Sequence, residues 1–174
     1  MKQTNKEQME QTLALMFWKL CLGNPNHILL GDGKHTFNKT QRATADTFET
    51  KPMPDDYISH LELALPLYQE EMEILRMGHI PEAQEDHWFM YCTDDYMRYF
   101  RSWTGECMFE AHFHQDGNDY IIDNLIINHD LAEFGVNGDE PAVWLFRYLI
   151  TAEVGGDANG AWKDFEDVWM GYNA

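Results

Sequence analysis

Between His87 and Asn128 the chain carries three turn signals, Asp94-Asp95, Thr104-Gly105 and Asp116-Gly117, separated by short runs rich in aromatic and aliphatic residues. Asp-Gly is a strong signal for a two-residue hairpin, Thr-Gly a fair one and Asp-Asp a weak one. Three hairpins in series leave few topologies open, because each places its two strands side by side. The reading is an α+β fold: a four-stranded antiparallel sheet over about 87–128, packed on one face by N- and C-terminal helices.

With a two-residue loop at each signal, the first hairpin pairs Trp88 with Arg101, Phe89 with Phe100 and Tyr91 with Arg98. The second pairs Tyr99 with Glu110, Phe100 with Phe109 and Arg101 with Met108, and the third sets His114 opposite Asp119, His112 opposite Ile121 and Glu110 opposite Asp123. Directly opposed residues share a face. One face then collects Phe89, Tyr91, Phe100, Cys107, Phe109, Ala111, Phe113, Tyr120, Ile122 and Ile126 as a core. The other collects Trp88, Met90, Tyr99, Arg101, Met108, Glu110, His112, His114, Asp119 and Asp123.

The helices are read from apolar spacing and end signals. Met9, Leu13, Met16, Phe17 and Leu20 give an amphipathic helix over Asn5–Leu22, stopped by Gly23-Asn24-Pro25. Residues 23–54 read as a long irregular connection with one short helix near Gln41–Phe48. Asp55 and Asp56 cap a helix carrying Leu61, Leu65, Tyr68, Met72 and Leu75, kinked or restarted at Pro66 and ended by Gly78 and Pro81. Asp139 and Pro141 open a further helix that Gly155-Gly156 closes, and Trp162, Phe165, Val168 and Trp169 mark the last. No repeat or shift in composition divides the 174 residues, so one domain, 1–174, is expected.

Charge limits the partners. Thirty acidic against 12 basic residues give a formal net charge of −18, which repels nucleic acid and anionic membranes and suits a small molecule, a cation or a basic protein. The start is too polar for a signal peptide and Lys19 interrupts the only early apolar run, so a cytoplasmic location is expected. Cys21, Cys92 and Cys107 have no metal or disulfide spacing and read as buried free thiols. Gly31-Asp32-Gly33-Lys34 lacks the spacing and hydroxyl of a phosphate loop and reads as a turn, although Lys34, Lys39, Arg42 and Lys51 gather in that connection.

On the second sheet face, Trp88 and Tyr99 offer stacking surfaces and Arg101 a fork for phosphate or carboxylate. The plainer reading is a cross-strand cation–π pair between Trp88 and Arg101. Glu110, His112 and His114 alternate along one strand, as the ligands of a divalent metal would, with Asp119 and Asp123 to complete or orient the set. Glu110 and Asp123 are also a candidate acid–base pair. No catalytic nucleophile or cofactor motif appears, so the expectation is a non-enzymatic binder that needs no cofactor.

Trp88-Phe89-Met90-Tyr91 followed by Arg101-Ser102-Trp103-Thr104-Gly105 resembles a small bacterial family with strands reading W-F-x-Y and R-S-W-T-G, found beside ADP-ribosylglycohydrolase-like domains. The resemblance covers Asp86–Phe113 alone. It implies an ADP-ribose or NAD-derived ligand, supplies no catalytic residues, and adds Trp103 to Trp88, Tyr99 and Arg101. The leading expectation is a nucleotide-like ligand on this face, bound by Trp88, Tyr99, Arg101, Trp103, Glu110 and Asp123. The alternatives are an acidic inhibitor or immunity-type protein for a basic partner, and a metal-dependent hydrolase using Glu110, His112, His114 and Asp123.

Overall fold

The computed structural model describes residues 41–82, 86–129 and 138–172. The expected helix over Asn5–Leu22, Cys21, and the Gly31–Lys34 turn with Lys34 and Lys39 lie outside them. Five strands are described: β1 (Ile58–Leu67), β2 (Trp88–Cys92), β3 (Tyr96–Arg101), β4 (Cys107–Asp116) and β5 (Asp119–Asn128). They form one antiparallel sheet in the order β1-β5-β4-β3-β2. Helices α1 (Gln69–Arg76), α2 (Asp139–Glu153) and α3 (Ala158–Tyr172) complete the described elements.

The fifth strand corrects the helix expected to start at Asp55. Leu61, Leu63, Leu65 and Leu67 are buried while His60 and Glu62 are exposed, the two-residue period of a strand. Pro66 is tolerated because, among the described residues, β1 pairs on one side alone, with β5, and an edge position does not need every amide. The helix is confined to Gln69–Arg76, and Gly78 at φ 74 turns the chain away as a left-handed residue after its end. The short helix expected at Gln41–Phe48 is replaced by a turn, with Thr47 N donating to Thr44 O at 3.1 Å and Thr44 N to Thr47 Oγ1 at 2.8 Å.

Of the three expected registers, the first is observed: Trp88 pairs with Arg101, Phe89 with Phe100 and Tyr91 with Arg98. The second is displaced. The connection takes up Ser102–Glu106, with Gly105 at φ 75 donating to Arg101 O, so Tyr99 instead of Phe100 faces Phe109. A displacement of one residue inverts every side chain relative to its neighbour strand. The third hairpin turns at Gly117-Asn118, and the pairing slides by two, to His114 with Ile121.

The faces therefore differ from those expected. Met97, Tyr99, Phe109, Ala111, Phe113, Ile122, Leu125 and Ile127 join Val143, Phe146, Leu149 and Ile150 of α2 in the main core. Phe146 sets its ring edge-on to Tyr99 and tilted against Phe109, at centroid distances of 6.0 and 5.5 Å. Phe89, Tyr91, Phe100 and Cys107 face the other way and form a second cluster with Ala43, Phe48 and Met53. Phe48 stacks on Phe89 at 5.1 Å, so the segment 41–54 covers that part of the sheet.

Candidate functional site

The expected ligand surface is divided between two faces. Trp88 and Arg101 remain together, with the guanidinium 5.1 Å from the centre of the Trp88 ring, as a cross-strand cation–π pair. They lie on the α2 side, where Trp88 also meets Tyr99 and Phe109. Tyr99 is a core residue. Burial first, and then the nearby Glu153, hold its phenol well above the usual tyrosine range, and its hydroxyl is sealed without a hydrogen-bond partner among the described residues. It cannot stack on a ligand.

Trp103 is 66% exposed at the end of the β2–β3 ribbon and leans on His87 at 5.4 Å. Ser102 fixes this end: its amide donates to His87 O at 2.9 Å and its hydroxyl to Asp86 O at 2.8 Å. The fold therefore gathers Trp88, Arg101 and Trp103 at one end of a ribbon and adds His87, which the sequence reading passed over. Its position opposite Ser102, one residue before the pair Trp88/Arg101, was the available signal.

Glu110, His112, His114 and Asp123 occupy the opposite face. Glu110 accepts from Arg98 Nε and lies 3.2 Å from His112 Nε2, while Arg98 also donates to Tyr91 Oη at 3.1 Å. Burial opposes the charge on Glu110, but Arg98 and His112 outweigh it and hold the carboxyl below its usual range. His114 Nδ1 is 2.7 Å from Asp123 Oδ2. Asp123 is the extra residue of a bulge in β5, since His112 pairs with Asn124 and Phe113 with Ile122. Among the described residues no three His, Cys, Asp or Glu side chains converge on a metal position. Glu110, His112 and His114 are thus not a three-ligand set, because Glu110 is held by Arg98. Nor do Glu110 and Asp123 oppose one another as the expected pair; Glu110 faces Ile126. Asp119 is taken by α1, accepting from Gln69 N at 3.1 Å.

Two polar clusters escaped the sequence reading because their members are far apart in the chain. His79 is buried between Asp86, 2.6 Å from Nε2, and Glu153, 3.1 Å from Nδ1. Burial disfavours its charge, but the two carboxylates prevail and raise its pKa to about 9. His129 Nε2 meets both Ser59 Oγ at 2.8 Å and Asp139 Oδ1 at 2.6 Å. A serine relay needs the carboxylate on one ring nitrogen and the hydroxyl on the other, so this arrangement does not activate Ser59. The two described cysteines are inert: burial pushes Cys92 up to about 11 and Cys107 up to about 12.

These features define an α+β protein with a five-stranded antiparallel sheet. Comparison with known protein families, curated proteins and solved structures finds no match to the chain. No helix among the described residues is long and apolar enough to cross a membrane.

Proposed function

We propose that this protein binds a nucleotide-like small molecule, of the ADP-ribose or NAD-derived class, at the β2–β3 end and performs no chemistry on it. The observation that carries the reading is the exposed Trp103 beside His87, at the same end of the ribbon as the Trp88/Arg101 pair. An exposed indole gives a face on which a base stacks, and a guanidinium gives a planar fork for phosphate oxygens. Tyr99 serves beneath Trp88 as a support, while Glu110 and Asp123, on the other face, take no part. The test is titration of ADP-ribose against the protein, followed by tryptophan fluorescence and calorimetry. Binding that Trp103→Ala weakens at least tenfold and Arg101→Ala abolishes, with melting temperatures little changed, supports it. Absence of binding, or equal binding by both variants, counts against it.

A second reading, an acidic protein that masks a basic partner, is favoured by one observation. Glu70 and Glu73 of α1, Asp94 and Asp95 of the β2–β3 turn, and Asp116 and Asp119 around the β4–β5 turn are exposed at the same end of the sheet. The bond from Gln69 to Asp119 and the 3.8 Å approach of Arg76 to Asp94 show that these segments adjoin.

A further inference from the structure

We propose that His112 and His114 form a binding site for a divalent transition-metal ion, with Glu110 and Asp123 behind them as the carboxylates that fix the rings. The site is separate from the proposed nucleotide surface and lies on the opposite face of the sheet.

The two histidines are two positions apart on β4, so their side chains leave the same face about 6.5–7 Å apart. Each ring has one nitrogen on a carboxylate: Nε2 of His112 on Glu110 at 3.2 Å, and Nδ1 of His114 on Asp123 at 2.7 Å. A carboxylate accepts, so in the neutral ring the contacted nitrogen carries the proton. The lone pairs are then on Nδ1 of His112 and Nε2 of His114. Neither atom has a protein partner among the described residues, and the side chains are 40% and 55% exposed. A carboxylate on the distal nitrogen is the usual support of a metal-bound imidazole, fixing both tautomer and ring orientation.

Two features of the sheet make this arrangement more than a repeat of histidines. The bulge in β5 inserts Asp123 without a pairing partner, and this extra residue is the one that meets His114. Beside it, Asn124 stands across from His112, and Glu62 of β1 stands across from Asn124. Asn124 Oδ1 is a buried acceptor with no donor among the described residues. Glu62 adds an exposed negative charge, and the chain as a whole carries −18, which favours a cation. Two imidazoles select Zn²⁺, Ni²⁺ or Cu²⁺ over Mg²⁺ and Ca²⁺, which prefer oxygen. Because Glu110 spends its other oxygen on Arg98, the protein supplies two ligands here and water supplies the rest.

The experiment is calorimetry and equilibrium dialysis of the full chain, prepared without a histidine tag, against Zn²⁺ and in parallel against Mg²⁺. The expected result is one zinc per chain, no magnesium, loss of the site in His112→Ala/His114→Ala, and a 10–100-fold weaker affinity in Asp123→Asn. His114→Gln, at an exposed position, must weaken binding at least tenfold, which keeps the test decisive should the double variant fold poorly. Substoichiometric zinc in the wild type, undiminished uptake by the histidine variants, or unchanged affinity in Asp123→Asn overturns the proposal.

Discussion

Two buried ionisable side chains make stability depend on pH. Glu71 accepts from Tyr68 N at 2.8 Å through Oε1, while Oε2 is buried without a partner among the described residues. Burial raises its pKa from 4.5 to about 7, although the bond from Tyr68 opposes the rise. The folded state therefore favours the protonated acid, and this stabilisation is present below pH 4.5 and lost as pH rises to about 7. For His79 the folded pKa rises from 6.5 to about 9, so its contribution is complete below pH 6.5 and lost as pH rises through 9. Urea unfolding between pH 4.5 and 9.5 should show stability declining through both windows. Glu71→Gln should remove the lower decline and stabilise the protein by about 1–3 kcal/mol at pH 8, since it relieves a buried unsatisfied charge. His79→Ala should remove the upper decline and cost about 3–5 kcal/mol at pH 6.5, because it takes the imidazolium away from the buried Glu153. A pH profile unaltered by either substitution would show that these groups are not the source. Neither residue was visible as a site in the sequence, since the partners of His79 lie 7 and 74 positions away.

At the level of elements, β1 shows where local spacing misleads. Leu61, Leu65, Tyr68, Met72 and Leu75 fit a helical period, yet Leu61, Leu63, Leu65 and Leu67 fit a strand equally well. Pro66 forbids neither, because it breaks a helix interior but is accepted on a sheet edge. That β1 is an edge among the described strands is a tertiary fact. Stability measurements distinguish the two: Leu65, fully buried, should cost about 2–5 kcal/mol on replacement by Ala. Tyr68, on the same face of the expected helix but exposed beyond the strand, should change stability by no more than about 0.5 kcal/mol as Ala. Similar large losses at both positions would restore the helix. The end signals were more legible. Asp139 and Gly155 bracket α2 as expected, because proline near the start and glycine past the end act within a single turn.

For the molecule as a whole, charge is arranged unevenly. Arg76, near the acidic end, lies over the Phe113 and Tyr120 rings at 5.7 and 5.3 Å, and the surrounding Glu70, Glu73, Asp94, Asp95, Asp116 and Asp119 outnumber it. Under the partner reading, a basic protein captured on immobilised wild-type chain at about 0.05 M salt should be released by about 0.3 M, where the screening length is roughly halved. Asp94→Asn/Asp95→Asn/Asp116→Asn should weaken its capture at least tenfold. Retention at high salt, or equal capture by the variant, argues against an electrostatic interface.

By itself the sequence determined the succession of hairpins, the register of β2 with β3, and the bounds of α2, since each depends on residues within one turn of chain. It also gathered the chemically capable side chains into one short region. Which of them share a face was decided only in three dimensions. The sequence Ser102–Glu106 closes as a longer loop than its Thr-Gly pair suggests, and a one-residue change inverts one strand against the next. The packing of Phe146 against Tyr99 and Phe109 accompanies the inverted pairing. It draws Tyr99 into the core and leaves His112 and His114 on the far face beside their carboxylates.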